Sequence, residues 1–249
     1  LASRRRKVSG IAIRSGPGHR WRRMSPSTFG SRALRFYTGL VPPDAPAGID
    51  VMNPYADRRV RRHLRAFLDK YYGDDAERVL VLGINPGRFG AGLTGITFTD
   101  PVALADHCGI ENDWPRRREL SSNFIYRFVE RFGGAGAFYR RFFLTAVSPL
   151  GFVRDGKNLN YYDVPALRAS VTPFITAAIR RQIAIGGRRD HAIILGMGAN
   201  LDFVKRLNDE HRFFETIHGL EHPRFIMQYR RRRLDEYLEK YAAVFSSCG

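Results

Sequence analysis

Hydrophobic residues follow two kinds of spacing along the chain, and each kind predicts one type of secondary structure. Short continuous apolar runs predict four buried strands, at residues 78–83, 142–147, 191–196 and 213–217. Apolar residues three or four positions apart predict helices at 57–73, 100–108, from Ser121 or Ser122 onward, 164–185, 201–207 and 234–245. Strands and helices alternate, which predicts an α/β fold. We expect a three-layer sandwich in which helices cover both faces of a central, four-stranded, mainly parallel sheet.

Residues 1–50 lack this regular spacing. Basic clusters there are interrupted by glycine, serine and proline, and a proline-rich stretch at 41–46 has the composition of a linker. We therefore expect residues 1–50 to be a flexible basic tail. Residues 51–249 are long enough for a single α/β domain.

The charge of the chain indicates a polyanionic partner. Lysine and arginine total 41 against 24 acidic residues, which gives a net charge of +17. Ten basic residues lie in 1–50, yet the remaining 199 residues still hold 31 basic against 22 acidic side chains. A surplus within the predicted domain favours nucleic acid as the partner. An arginine-rich chain adapted to heat or salt is the alternative interpretation.

Several other classes of protein are disfavoured by the sequence. It has no run of about 18 apolar residues, so we expect no membrane span. Its two cysteines, Cys108 and Cys248, lie far apart, which argues against a disulfide framework, a zinc site and a four-cysteine iron–sulfur cluster. We expect a monomeric cytoplasmic protein that uses no metal and no cofactor.

The first predicted strand leads directly into a glycine-rich loop at residues 83–98. Pro86 biases Asn85 towards an extended conformation, and Gly87 permits a turn that would strain other residues. Further glycines at 90, 92 and 95 leave backbone N–H and C=O groups open to a ligand. The loop lacks the Gly-Lys-Ser/Thr of a P-loop, and a dinucleotide-binding pattern is not convincing. Because ligands bind at the carboxyl ends of parallel strands, we expect the functional site at this loop.

The loop also resembles a known motif over its two segments, Gly83-Ile84-Asn85-Pro86-Gly87-Arg88-Phe89-Gly90 and Thr94-Gly95-Ile96-Thr97-Phe98. It is similar to motif one of the single-strand-selective monofunctional uracil-DNA glycosylase family, most of all to the bacterial second branch of that family. The resemblance implies a uracil-DNA glycosylase-like fold. It also implies that Asn85 positions the hydrolytic water, that Phe98 stacks on a flipped-out base and that Ile84 and Gly87 line the base pocket. Pro86 would then lie beside the DNA.

A second motif follows the fourth predicted strand. His222-Pro223 matches the His-Pro pair of the same family, and the resemblance extends to Arg230. It implies that His222 donates a hydrogen bond to the leaving base. Pro223, Arg224 and Arg230 are then expected to contact DNA, with Arg224 where the family inserts a wedge into the duplex. His218 is the competing histidine, and a solvated basic face is the alternative for the arginine run that begins at Arg230.

The strand predicted at 142–147 departs from the family pattern. In the better-known branch, an asparagine on this strand hydrogen-bonds the edge of uracil. Ala146 stands at that position here, although Ser148-Pro149-Leu150 resembles the Cys-Pro-Leu that follows in the family motif. Alanine has no polar side chain with which to read a pyrimidine, so we expect a range of bases that includes xanthine. Asn123 is an alternative residue that would have to reach the pocket from a helix.

Together these features predict a monofunctional DNA glycosylase of base excision repair. It would hydrolyse the N-glycosidic bond of uracil, or of xanthine and other deaminated bases, in single- or double-stranded DNA and leave an abasic site. Two other classes remain open. One is a non-catalytic α/β protein that binds nucleic acid, and the other is an α/β enzyme that processes nucleotides or phosphates.

Overall fold

The computed structural model of the protein describes residues 28–248. Its strands are β1 (Asp50–Met52), β2 (Arg78–Gly83), β3 (Phe142–Ala146), β4 (Gly151–Arg154), β5 (Lys157–Leu159), β6 (Gly187–Leu195) and β7 (Thr216–Leu220). Its α-helices are α1 (Phe29–Thr38), α2 (Arg58–Tyr71), α3 (Ala91–Thr94), α4 (Pro101–Asp106), α5 (Leu120–Arg131), α6 (Ala135–Arg141), α7 (Pro165–Ala184), α8 (Ala199–His211), α9 (Pro223–Tyr229) and α10 (Leu234–Ser247). Two 3₁₀ turns cover Pro54–Ala56 and Arg231–Arg233.

The central sheet has four strands in the order β3-β2-β6-β7, and all of its neighbouring strands are parallel. Helices flank this sheet, so the predicted α/β sandwich is confirmed. β2 lies inside the sheet and all six of its residues are buried, as its continuous apolar run predicts. Because the strands are parallel, their carboxyl ends meet at one edge. Gly83 at the end of β2 is in register with Ala146 at the end of β3.

The prediction of a flexible tail over residues 1–50 is wrong for the part that the structure describes. α1 packs Phe29, Ala33 and Phe36 into the core, and Thr28 caps the helix by accepting a hydrogen bond from the Ser31 N–H at 3.2 Å. Ile49 is buried as well. The domain therefore includes residues 28–50. The basic clusters that precede residue 28 lie outside the described residues.

The fourth strand lies three residues later than predicted. The apolar run at 213–217 predicts a strand there, but Phe213 and Phe214 are buried in the connection before β7. The Asn208 side chain bonds both the N–H and the C=O of Phe214, at 2.8 and 3.0 Å, and so replaces strand pairing there. As a result His218 lies within β7, while His222 lies beyond it.

A second, antiparallel sheet of three short strands was not predicted. It has the order β1-β4-β5, and each strand is only three or four residues long, too short for its side-chain alternation to be visible in the sequence. The sheet brings the end of β5 and the start of β4 against the loop after β2. A side chain at Gly151 would lie 2.6 Å from the Pro86 carbonyl oxygen, so glycine is required for this close approach.

Cys108 and Cys248 are both free and buried. Among residues 28–248, no helix is both long and apolar enough to cross a membrane.

Candidate active site

A cavity of about 390 Å³ opens at the carboxyl edge of the central sheet. The structure brings most of the predicted site residues together on its wall: Ile84, Asn85, Pro86, Gly87, Phe98, Ala146, His222 and Arg224. They come from the loop after β2, the end of β3 and the start of α9. The cavity has the size of a small-molecule pocket. The two motifs, about 135 residues apart in the sequence, thus share one site.

Phe98 is held in the cavity wall by an unusual backbone conformation. Its φ is +55°, in the left-handed region that bulky residues rarely occupy. Thr94 stabilises this turn, because its hydroxyl donates to the Thr99 carbonyl oxygen at 2.6 Å and accepts from the Ile96 N–H at 3.1 Å. The Phe98 ring covers the end of β2, where a Cβ on Gly83 would lie 2.7 Å from its Cζ. Gly83 is therefore required for the position of this ring.

The Asn85 side chain has its orientation fixed by the segment that follows β5. Its Nδ2 donates to the Leu159 carbonyl oxygen at 3.1 Å, and its Oδ1 accepts from the Tyr161 N–H at 3.1 Å. These two bonds determine which end of the amide is oxygen and which is nitrogen. The Oδ1 atom keeps one further lone pair, which is what an amide needs to hold a water molecule.

His222 lies at the N-terminal cap of α9 with a defined tautomer. Its Nδ1 accepts a hydrogen bond from the Arg224 N–H at 3.1 Å, so the neutral ring carries its proton on Nε2. Burial, and secondly the Arg224 guanidinium, lower the pKa of His222 to about 4. The imidazole is therefore a neutral hydrogen-bond donor at physiological pH. Its ring centroid lies 5.6 Å from that of Phe98.

The two competing side chains do not line this cavity. His218 faces a neighbouring strand, where its Nε2 lies 3.1 Å from Nδ1 of His191. Asn123 accepts from Nε of Arg127 at 3.0 Å and lines a separate depression on the surface. The proposal that Asn123 reaches the base pocket is therefore wrong.

The rim of the cavity combines arginine and aromatic side chains. Arg224, Phe225 and Tyr229 project from α9, and Tyr229 has 59% of its surface exposed. Arg230 does not line the cavity, but its guanidinium lies 5.2 Å from the ring of Phe225. Arg230 caps the end of α9, Arg231–Arg233 form a 3₁₀ turn, and α10 begins at Leu234, where the predicted helix 234–245 begins.

Pro223 differs from the other residues predicted to contact DNA. It is buried as the first residue of α9 and does not line the cavity. A proline at this position suits a helix start, because its missing N–H has no helical partner to lose. It fixes the start of the helix whose cap is His222.

Sequence reasoning missed several polar residues of the cavity. Glu119 and Ser121 reach it from the start of α5, and Asn158 and Asn160 from β5 and the segment after it. Gln228 adds a further polar side chain from α9. Gln228 lies within the stretch of resemblance that runs to Arg230, which implies no role for it, whereas the other four residues lie outside both motifs. The place of those four at the site depends on tertiary packing, which single-sequence spacing does not show.

This arrangement defines a class of protein: an α/β protein with a cavity at the carboxyl edge of a parallel sheet, walled by a fixed aromatic ring and rimmed by basic and aromatic side chains. Residues 70–246 match the model of the Uracil DNA glycosylase superfamily, and the chain belongs to that superfamily.

The similar proteins point to one family within it. The chain is 30% identical over 146 residues to the single-strand selective monofunctional uracil-DNA glycosylase of Rattus norvegicus, and 28% identical over 146 residues to that of Mus musculus. Each match covers 51% of this chain and 51% of the relative, so the chain spans about half the length of these curated relatives. The crystal structure of Pedobacter heparinus SMUG2 has a TM-score of 0.85 and 42% identity, and the match covers 88% of this chain and 97% of that one. These similarities confirm the predicted bacterial branch.

Proposed function

We propose that this protein is a monofunctional DNA glycosylase that removes uracil from DNA in base excision repair. The observation that carries the proposal is the meeting of Asn85, Phe98 and the neutral His222 in one cavity. Family membership and the names of the similar proteins support the same activity.

The first step is extrusion of the damaged nucleotide, because a stacked base cannot reach the bottom of a cavity. Unstacking costs a few kcal/mol, which contacts elsewhere on the DNA must offset. Phe98 offers a planar surface for the extruded base, and Arg224 with Tyr229 at the rim is placed to contact the strand it leaves. Base stacking on an aromatic ring contributes about 1–3 kcal/mol.

The second step is hydrolysis of the bond between the sugar C1′ and the base nitrogen. The bonding electrons leave with the base as an anion, a water oxygen bonds to C1′, and the proton that this water loses passes through solvent to neutralise the departed base. Asn85 has no basic carboxylate, so its role is to position that water. His222 donates its Nε2 proton in a hydrogen bond to the developing negative charge, which typically lowers the barrier by about 3–4 kcal/mol.

The wall of the cavity bears on the range of bases that the protein can accept. Ala146 lies there without a polar side chain, so it makes no base-specific hydrogen bond. We propose uracil as the main substrate and xanthine as a second one, in single- or double-stranded DNA. We further propose that the protein acts as a monomer in the bacterial cytoplasm or nucleoid.

Two substitutions separate catalysis from DNA binding. Asn85→Ala and His222→Ala should each lower single-turnover release of uracil by 10²–10³-fold, the usual loss for one such group. Their affinity for uracil-containing DNA should stay within a few-fold of the parent. His218→Ala is the matched control, because His218 lies outside the cavity, and it should keep the parent rate. Parent-like release by both cavity variants would show that base release does not use these two side chains, whereas DNA binding with no release by the parent itself would show a protein that binds nucleic acid without this chemistry.

A further inference from the structure

Glu119 is an acidic residue of the cavity with no role in the mechanism above. It precedes α5, and its backbone N–H donates to Oδ2 of Asp100 at 2.7 Å, which fixes the start of the helix. Its carboxylate lies against the glycine loop. A Cβ on Gly87 would lie 3.7 Å from Oε1 of Glu119, and a Cβ on Gly90 would overlap the carboxylate. Glycine at both positions leaves room for this acid beside the pocket.

The carboxylate has no hydrogen bond or ion pair to any residue within 28–248. The charged groups nearest to it are Asp100, Arg224 and Arg117, and neither arginine comes within salt-bridge distance. Arg117 instead stacks on Phe89, with its guanidinium 3.7 Å from the ring centroid. An acid that lines a cavity and lacks a protein partner is available to a ligand.

The environment of Glu119 also sets its protonation state. Burial, and secondly the like charge of Asp100, raise its pKa to about 7, against the opposing effect of Arg224 and Arg117. The side chain is therefore mostly neutral below this pH and mostly ionised above it. His222, the histidine of the cavity, has a pKa of about 4 and stays neutral throughout the range from 5.5 to 8.5.

We propose that Glu119 reads the polar edge of the extruded base, in place of the amide that Ala146 lacks. A neutral carboxyl group offers one O–H donor and one carbonyl acceptor, the same pair that a carboxamide offers. That pair matches an imide edge such as that of uracil, which presents an N–H beside a carbonyl oxygen. An ionised carboxylate only accepts hydrogen bonds, so it repels the carbonyl oxygen and the anion that forms when the bond breaks.

This inference rests on the proposed glycosylase function, and substitution of Glu119 tests it. Glu119→Gln keeps a donor and an acceptor but cannot titrate, whereas Glu119→Ala removes both. Glu111→Gln, at an exposed acid of the same segment, is the matched control. The measurement is the single-turnover rate of uracil release from a single-stranded oligonucleotide between pH 5.5 and 8.5, with thermal unfolding followed for every variant.

The parent and Glu111→Gln rates should fall about tenfold per pH unit above pH 7, where the neutral form of Glu119 is lost. The rate of Glu119→Gln should stay near the rate that the parent has at pH 6, and it should vary less than about threefold between pH 5.5 and 8.5. Glu119→Ala should be slower by on the order of 10- to 100-fold at pH 6, the usual loss for a good base contact, with an unchanged unfolding temperature.

Two results would overturn the inference. One is a parent-like rate and pH profile for Glu119→Ala. The other is a profile of Glu119→Gln that still falls above pH 7, since a residue that only supports the loop would leave that titration in place. If the parent itself released no base from any oligonucleotide, the proposed function would fail instead, so the two failures are distinguishable.

Discussion

At the scale of single residues, the position of the aromatic ring in the site depends on a glycine, which has no side chain to collide with it. Gly83 lies at the end of β2, where any side chain would collide with the Phe98 ring. Phe98 itself occupies a left-handed conformation, which costs on the order of 1–3 kcal/mol and persists only where the surroundings hold it. The aromatic wall of the pocket therefore depends on Gly83 and Phe98 together.

Gly83→Ala should displace the Phe98 ring and lower uracil release through weaker binding of the base. We expect a loss of about 10- to 100-fold in kcat/KM, in line with stacking worth about 1–3 kcal/mol. Steady-state kinetics on a uracil oligonucleotide checks this. Gly136→Ala is the control, because a Cβ on Gly136 meets no atom within 4 Å. Equal kinetics for both variants would show that the position of the Phe98 ring does not depend on the absence of a side chain at residue 83.

At the scale of elements, α1 completes the hydrophobic core. Phe29 is fully buried, stacks with Tyr72 at a centroid distance of 5.4 Å and meets the edge of Phe143 at 5.0 Å. Tyr37 of the same helix bonds the Thr145 hydroxyl of β3 at 2.9 Å. The helix therefore packs against the sheet whose ends carry the site.

Phe29→Ala should lower the free energy of unfolding by about 3–5 kcal/mol, the usual cost of emptying a buried aromatic site. Chemical denaturation followed by fluorescence measures it. Val41→Ala is a suitable control, since Val41 is 77% exposed and such changes stay within about 0.5 kcal/mol. A loss below 1 kcal/mol for Phe29→Ala would mean that α1 is dispensable.

The sequence predicts elements well where local pattern and final packing agree. β2, α2 and α10 have clear apolar periodicity, and the loop motif and His222-Pro223 point to one edge of the sheet. α1 was missed although its buried apolar residues have helical spacing, because the helix is short and lies between basic clusters and a proline-rich stretch. Glu119 was missed for another reason, because its place beside Gly87 depends on the packing of α5 against a distant loop.

At the scale of the whole molecule, the basic surface continues from the cavity. A shallow depression lined by Gln228, Tyr229 and the four arginines at 230–233 adjoins the cavity, and the two share Gln228 and Tyr229. Arg233 pairs with Glu236 at 2.6 Å, whereas Arg231 and Arg232 have no ion pair within the described part of the chain. These two side chains are available for phosphate contacts beside the pocket.

Replacing Arg231 and Arg232 by alanine should weaken DNA binding and reduce its salt dependence. The slope of log affinity against log salt should shrink by about 0.7–0.9 for each lost phosphate contact. Fluorescence anisotropy at several salt concentrations provides the slope. Arg140→Ala is the control, because Arg140 precedes β3 and so lies towards the opposite edge of the sheet. An unchanged slope in the double variant would indicate that Arg231 and Arg232 are exposed to solvent and do not contact DNA phosphates.

The most direct test of the central claim is base release by the unmodified protein. Oligonucleotides that contain uracil, xanthine or hypoxanthine are incubated single- and double-stranded, and both the free base and the abasic site are measured. We predict free uracil together with an abasic strand that breaks only after alkali treatment, as expected for a glycosylase without lyase activity. No release of any base from any of these oligonucleotides would contradict the account.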